Sequence, residues 1–262
     1  MKCIEKVMIH PDVKFIYSDF SVYNSDEPVV YNLQQHPAIL DLKANFHHIL
    51  EEVQPYMQGL VQADVSNPNA PNVNYPNTWK HLYFMNYMLE YAPGRNLFPI
   101  TYSLIKKHPE ITLAGIASLE GGGRLFPHSG ETNAIIRCHL GIKIPGVIPE
   151  CGIRVKDRHL SWREGDVICF NDAFNHEAWN LTQEKRYILL FDIMRPEFMG
   201  QKKRICAYAL GIASVRYLAE RLNLDRHLPL FIRKTFIFPF FVFWLVYLAL
   251  QPIWVKKPSG KL

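Results

Sequence analysis

Two histidines are the residues of this chain whose type and spacing most directly suggest chemistry. His128 lies in the run FPHSG and His176 in FNHE, so each follows a phenylalanine by two positions beside a predicted strand. Because 48 positions separate them, they belong to distant strands, which a jelly roll can bring together at its mouth. Two neutral imidazoles suit Fe(II), and sites that activate O₂ on Fe(II) usually add a carboxylate. The alternative is that each histidine is structural.

An arginine supports the chemical interpretation. Arg186 follows His176 by ten residues and begins an apolar strand. A guanidinium buried inside a barrel is unfavourable unless it meets an anion. Its planar fork matches a carboxylate through two parallel hydrogen bonds. An exposed position in a turn beside Lys185 is the alternative, and spacing alone favours neither.

Short apolar runs separated by turn residues must position these side chains. The runs are rich in Ile, Val, Phe and Tyr, and no helical pattern lies between them, which is typical of an antiparallel sandwich or jelly roll. The sequence therefore predicts a mainly β fold. The predicted strands are residues 80–84, 113–119, 134–144, 153–155, 166–170 and 187–194.

The segments before the strands predict a peripheral region and helices. Residues 1–36 mix short alternating stretches with polar turns and form a peripheral segment in this prediction. Residues 37–60 place apolar side chains at helical spacing and predict an amphipathic helix. The polar, turn-rich residues 62–78 predict a long surface loop, and residues 101–107 a short helix. We place the main domain at residues 37–200.

Composition limits the class of protein. The 262 residues are 48% hydrophobic and 20% charged, which excludes a disordered or collagen-like chain and suits one substantial core. The five cysteines form no CxxC pair, and the N-terminus lacks the apolar region of a signal peptide. We therefore expect buried, reduced thiols and a cytosolic main domain. These cysteines are Cys3, Cys138, Cys151, Cys169 and Cys206.

The C-terminal quarter differs in charge and hydropathy from the rest. Residues 201–262 carry a formal charge of +9, whereas residues 1–200 carry −4. Residues 201–234 predict an amphipathic helical linker, and residues 235–255 contain no charge. Because basic residues bracket an apolar segment, membrane lipids fit this region better than nucleic acid does.

The uncharged segment is long enough to cross a bilayer. As a helix, its 21 residues would measure about 31 Å, close to the roughly 30 Å hydrocarbon core. Pro239 and Pro252 interrupt it near both ends. We predict a transmembrane helix, with a monotopic segment embedded in the interface and a buried soluble helix as alternatives. The chain is thus expected at a membrane, single-pass or monotopic through its C-terminus.

Five motifs follow one another along the second half of the chain. They are FPHSGETN at 126–133, RCHLG at 137–141, WREGD at 162–166, HEAWN at 176–180, and Arg186. In their order and approximate spacing, over about residues 37–197, they resemble the aspartyl/asparaginyl β-hydroxylase family of Fe(II)- and 2-oxoglutarate-dependent oxygenases.

The resemblance implies a double-stranded β-helix, the cupin-like form of the jelly roll, with flanking N-terminal helices and a C-terminal hydrophobic helix. It also implies Fe(II) at His128 and His176, with 2-oxoglutarate and O₂ as cosubstrates. Arg186 would hold 2-oxoglutarate, supported by Trp79, Arg137, His139 and a serine. Eleven residues before His128 the chain has Ala117, whereas Ser118 matches if the turn at 120–124 is one residue shorter.

Gly130 bears on both the metal and the substrate. It stands two residues after His128, where most enzymes of the superfamily carry a metal-binding Asp or Glu. The resemblance implies two protein ligands with water as the third, although Glu131 could supply a carboxylate instead. On this basis the expected substrate is an Asp or Asn side chain of a peptide, protein or small molecule. The alternatives are the acyl chain of a membrane lipid, and a non-catalytic membrane-anchored adaptor.

Overall fold

The computed structural model describes residues 13–16, 23–59, 73–75, 78–222 and 230–254. The predicted loop at 62–78 lies mostly outside these residues. Within them the strands are β1 (Trp79–Asn86), β2 (Leu89–Glu90), β3 (Ile111–Leu119), β4 (Gly123–His128), β5 (Ile135–Lys143), β6 (Cys151–Val155), β7 (Arg158–Leu160), β8 (Val167–Asn171), β9 (His176–Asn180) and β10 (Arg186–Met194). The helices are α1 (Pro37–Ala44), α2 (Phe46–Met57), α3 (Ala92–Leu97), α4 (Pro99–Lys106), α5 (Lys202–Arg221) and α6 (Leu230–Trp254), with a 3₁₀ helix at Pro196–Gln201.

The strands form two antiparallel sheets that face each other. The larger sheet has the order β2-β1-β3-β10-β5-β8, and the smaller has the order β4-β9-β6-β7. Along the chain, β3 to β10 pass back and forth between the two sheets, which is the winding of a double-stranded β-helix. The predicted jelly roll is therefore confirmed. The prediction did not include β2, β4, β7 and β9, which are short strands.

Alternation along each barrel strand separates two cores. In β10, Leu189 and Phe191 point outward and join the core formed with α1, α2 and α4. Ile188 and Leu190 point inward and meet the smaller sheet. Because successive strand residues face opposite sides, one strand supplies both the outer core and the lining of the barrel.

The N-terminal helical region differs from the predicted single helix. Pro37 begins α1, where its missing N–H is tolerated, and the ring of His36 accepts a hydrogen bond from the Ala38 amide. Asn45 ends α1 because its side chain bonds back to Asp41, and α2 then starts at Phe46. The prediction of one continuous helix over 37–60 is therefore wrong at Asn45. The short helix predicted at 101–107 is α4.

The two C-terminal helices pack side by side. The ring centroids of Tyr208 and Phe241 lie 5.7 Å apart, and the indole N–H of Trp244 donates to the Ser214 hydroxyl at 2.9 Å. Ile237 packs closely against Gly211, where an added Cβ would lie 3.3 Å from the isoleucine side chain. By length and composition, α6 is the described helix that could cross a membrane.

Candidate active site

The two histidines predicted to bind metal lie opposite each other on neighbouring strands. His128 ends β4 and His176 begins β9, and the register of the two strands pairs them after an irregularity in β4. Their ring centroids are 4.2 Å apart. The Nδ1–H groups point to the carbonyls of Phe126 and Phe174, at 2.7 and 2.9 Å. A carbonyl only accepts, so each ring carries its proton on Nδ1 and its lone pair on Nε2, the tautomer required of a metal ligand.

The environment of His176 favours its neutral form. Burial lowers the pKa of His176 well below its usual value, and the neighbouring His128 adds to the shift. A neutral imidazole is the form that binds a metal ion. The donor set therefore fits Fe(II), although no three His, Cys, Asp or Glu side chains within the described part of the chain form a complete metal site.

A buried carboxylate occupies the space beside Gly130. The side chain of Asp172 is fully buried, and its Oδ1 lies 3.4 Å from Nε2 of His176. A Cβ added to Gly130 would lie 1.7 Å from Oδ2 of Asp172. Residue 130 must therefore be glycine, because the Asp172 carboxylate lies where the side chain of any other residue would be. The sequence analysis did not identify Asp172, because four residues before a histidine in a loop is not a recognisable signal.

Arg137 holds this carboxylate in place. Its guanidinium donates to both oxygens of Asp192 at 2.9 Å and lies 2.7 Å from Oδ1 of Asp172. Both aspartates are completely buried, and this burial raises the pKa of both carboxyl groups, that of Asp172 to about 7, while the charge of Arg137 opposes the rise. Arg137 was predicted to support 2-oxoglutarate, but its Nε and Nη2 donate to Asp192, and its Nη1 lies against Asp172, whose two oxygens have no hydrogen-bond partner among the described residues. We therefore expect it to position Asp172 rather than a cosubstrate.

Arg186 is buried without an anionic partner among the described residues. It is 1% exposed, its Nη1 donates a long 3.4 Å bond to the Gly152 carbonyl, and its guanidinium lies beside the Cys151 thiol. Nε and Nη2 have no hydrogen-bond partner there, and desolvation lowers the pKa of the group. Its guanidinium lies 5.4 Å from the centre of the Trp162 ring. A buried cation with two unpaired donors fits a carboxylate ligand.

His139 adds a second unsatisfied polar group to the same wall. Both of its ring nitrogens are buried without a hydrogen-bond partner among the described residues, and its ring centroid lies 5.7 Å from that of Trp162. Burial and the charge of Arg186 lower the pKa of His139 well below its usual value. Buried polar atoms are almost always paired in native proteins. A polar ligand bound beside Arg186 and His139 would pair them.

Strand β1 supplies another wall of the cavity. Trp79, His81 and Tyr83 point inward at every second position, with ring centroids 4.6 Å apart for the first pair and 4.9 Å for the second. Desolvation, with smaller contributions from Arg137 and His128, lowers the pKa of His81 to about 3. Only Trp79 was predicted as a site residue. The period of two in a predicted strand was the signal that also indicates His81 and Tyr83.

Ser118 does not reach the cavity. On β3, Leu113 and Ala117 belong to the inner core, whereas Ala114 and Ile116 belong to the outer core. Ser118 therefore lies on the outer side of the strand, and the inward position is Ala117, which has no hydroxyl. The prediction that Ser118 binds the cosubstrate has to be corrected, because a shift of one residue moves a side chain to the other face.

The cavity that these residues enclose has a volume of about 600 Å³ and extends to α5. Arg186 lies at its buried end, while Ala213, Arg216 and Tyr217 of α5 contribute to its lining. Glu131 lies at the α5 side, where it pairs with Arg216 at 3.3 Å and accepts a hydrogen bond from Tyr87 at 2.8 Å. Glu131 is therefore engaged away from the histidines and does not replace Asp172 as the nearest carboxylate.

Replacing Gly130 with alanine is expected to destabilise the fold. The new methyl group would overlap Asp172 and push it away from Arg137, and breaking such a buried charge network costs about 3 kcal/mol or more. Urea unfolding followed by fluorescence measures the change. Gly200→Ala is the matched control, since a Cβ there meets no atom within 4 Å. Equal unfolding midpoints for the two variants would contradict the close contact of Gly130 with Asp172.

Comparison with known proteins agrees with this geometry. The family described as aspartyl/asparaginyl beta-hydroxylase matches residues 43–196, more than half of the chain. An ornithine lipid ester-linked acyl 2-hydroxylase of Rhizobium tropici is 26% identical over 205 residues, covering 76% of this chain and 72% of that protein. Human aspartyl/asparaginyl beta-hydroxylase is 35% identical over 111 residues, or 40% of this chain, and the chain covers only 14% of the human protein.

Solved structures give a distant likeness. A predicted oxalate decarboxylase from Thermotoga maritima aligns with 52% of this chain and 96% of its own, at 10% identity and a TM-score of 0.34.

Proposed function

This chain belongs to the aspartyl/asparaginyl β-hydroxylase family, and from that premise we propose that it is an Fe(II)- and 2-oxoglutarate-dependent dioxygenase. One observation carries the proposal. The cavity with two paired histidines at its wall also has a buried arginine whose unpaired donors fit a carboxylate. A hydroxylase that did not use 2-oxoglutarate would not need a buried arginine to bind the carboxylate of this cosubstrate.

Each residue has a role that follows from its surroundings. His128 and His176 would hold the metal through Nε2, because their Nδ1–H groups are donated to backbone carbonyls. Arg186 would bind the distal carboxylate of 2-oxoglutarate, with His139 beside it. When bound, the metal and 2-oxoglutarate supply the oxidant: one atom of O₂ enters a C–H bond of the substrate and the other enters succinate, with release of CO₂.

Asp172 would act on the metal site without being a full ligand in this geometry. Its carboxylate lies next to His176 and is fixed by Arg137. From there it would be able to accept a hydrogen bond from a water held beside the two histidines. A positioned carboxylate of this kind typically changes metal affinity by about 10-fold to 100-fold.

For the substrate we propose the acyl chain of a membrane lipid. The motivating observation is that α5, which is packed against the apolar helix α6, forms part of the cavity lining. The similarity to the lipid hydroxylase of Rhizobium tropici, which extends over 76% of this chain, supports the same class.

An Asp or Asn side chain is the second candidate substrate. Its support is the absence of an acidic residue at Gly130, together with the human relative's 35% identity. The first of these is weakened by Asp172, which fills the space at Gly130 with a carboxylate from elsewhere. An Asp or Asn side chain would also fill only a small part of the cavity of about 600 Å³.

The experiment is an assay of succinate formation by the full chain with Fe(II), 2-oxoglutarate and O₂. The proposal expects succinate that depends on all three and is stimulated by lipid vesicles, with one added oxygen in the lipid by mass spectrometry. Stimulation by Asp- or Asn-containing peptides, with lipids unchanged, would select the second candidate. No succinate in either case would favour the non-catalytic adaptor and reject the dioxygenase proposal.

A further inference from the structure

Helix α6 has an apolar face that no described part of the chain covers. Phe231, Phe238 and Phe243 are 70%, 66% and 56% exposed, and such large exposed apolar surfaces mark interaction sites. The exposed apolar residues recur along the whole helix, so they form one continuous stripe, which we call the α6 stripe. It consists of Phe231, Phe236, Phe238, Val242, Phe243, Val246 and Leu250.

The opposite face of α6 is attached to the catalytic domain. Ile237 is buried against Ile212 and Val215 of α5, and Leu248 is buried in the core that includes Leu210. The Gln251 side chain donates to the Met88 carbonyl at 2.8 Å and accepts from the Glu90 amide at 3.1 Å. From Ile237 to Gln251, about 21 Å of helix is therefore fixed along the domain.

The packing of α6 on α5 disfavours a helix that crosses the bilayer. Trp244 lies near the middle of the apolar span Lys234–Gln251 and donates to Ser214 of α5, and two residues further along α5 Arg216 pairs with Glu131 at 3.3 Å. A crossing α6 would either draw these charges into the hydrocarbon or break its contacts with the domain. Charged groups at that depth are strongly disfavoured. A helix lying along the membrane surface keeps every contact and buries only the α6 stripe.

The cavity opens beside the exposed C-terminal end of α5. Tyr217 of α5 contributes to the cavity lining and is 60% exposed. Leu218 on α5 and Leu222, the residue after α5, are exposed as well. An apolar surface thus continues from the α5 end of the helix pair to the cavity opening.

Charge favours one occupant of the stripe. The sequence over residues 201–262 carries +9, and within the described part of the chain the exposed Arg221 and Lys234 lie near the end of α5 and the start of α6. A positive surface beside an apolar stripe matches an anionic membrane, with headgroups at the charges and acyl chains at the stripe. A protein partner with an apolar groove would leave the excess positive charge unexplained.

We propose that α5 and α6 lie in the plane of an anionic membrane surface, with the α6 stripe among the acyl chains, so that the cavity receives its substrate laterally from the lipid leaflet. Membrane docking stands independently of the dioxygenase activity. The lateral entry of a lipid rests on the proposed function.

The first test is binding of the full chain to phosphatidylcholine/phosphatidylglycerol vesicles, measured by flotation without iron or 2-oxoglutarate. The double variant Phe238→Asp/Phe243→Asp is expected to bind at least 10-fold more weakly. Val147→Asp/Leu181→Asp is the matched control, because these apolar residues are similarly exposed on another part of the domain. Unchanged binding of the stripe variant, with normal thermal unfolding, would overturn the proposal.

The second test separates a helix in the plane from one that crosses. A fluorophore is attached at Phe231→Cys, Val242→Cys or Leu250→Cys in a Cys3→Ser background, since the other four cysteines are buried. Quenching by nitroxide lipids at two depths gives the position of each label. Equal shallow depths at all three support the proposal, whereas a deep label at 242 between two shallow ones overturns it.

The two proposals fail in different ways. A chain that binds vesicles in the plane but makes no succinate would reject the dioxygenase proposal alone. A chain that makes succinate and stays in solution with vesicles would reject the membrane proposal alone.

Discussion

Replacing Arg186 with methionine is expected to weaken binding of 2-oxoglutarate by about 100-fold while leaving the fold intact or more stable. The lost interaction is a charge-assisted pair of hydrogen bonds inside the barrel, and about 2–3 kcal/mol corresponds to that factor. Arg186 is buried with two unpaired donors, so an apolar side chain of similar length removes an uncompensated charge. Calorimetric titration of the Mn(II)-loaded protein measures the affinity, and thermal unfolding measures stability.

Two comparisons make this result specific. Arg186→Lys keeps the charge but loses the planar fork, so it should recover only a small part of the affinity. Arg158→Met is the matched control because Arg158 is exposed on β7, far from the barrel interior. If Arg186→Met unfolded at a much lower temperature and bound 2-oxoglutarate normally, Arg186 would be a structural residue and the proposed anion site would be wrong.

Replacing His176 with alanine is expected to abolish turnover and to lower metal affinity by at least 100-fold. The variant loses one of the two imidazoles that the site contributes, and a metal held by a single histidine binds weakly. Its fold should lose only about 1–3 kcal/mol, since one buried carbonyl, that of Phe174, is left without its donor. Titration with Co(II), followed by its visible absorption, reports metal binding independently of activity.

His159→Ala provides the control for the metal result. His159 lies on β7 with an exposed side chain, and its ring centroid is 6.1 Å from that of Trp179, outside the cavity. The His159→Ala variant should therefore bind Co(II) with the same affinity as the unchanged chain. Normal Co(II) spectra for His176→Ala would mean that the metal is held elsewhere, and the dioxygenase proposal would then lose its basis.

The parts of the site that sequence reasoning reached are those encoded by local patterns. His128 and His176 stand in short motifs, and the structure brings them together as expected. Arg186 begins an apolar strand, so period two places it inside the barrel with Ile188 and Leu190. These predictions needed only the strand pattern and the chemistry of the side chains.

The parts that it missed depend on tertiary neighbours. Asp172 gains its position from Arg137 on β5 and from the missing side chain at Gly130, neither of which is near it in sequence. Ser118 was wrongly predicted to face the cavity. An offset of one residue on β3 places a side chain on the opposite face of the strand. The interruption between α1 and α2 rests on one side-chain bond from Asn45, which helical periodicity does not register.

The hydrogen bonds of Gln251 have a practical consequence for work with this protein. They tie the last turns of α6 to the hairpin of β1 and β2, and β1 carries Trp79 and His81 on the cavity wall. Deleting the apolar helix α6 to improve expression would therefore loosen the cavity wall formed by β1. Kinetic measurements should use the chain with α6 present, in detergent or nanodiscs, because a chain without α6 would have an altered cavity.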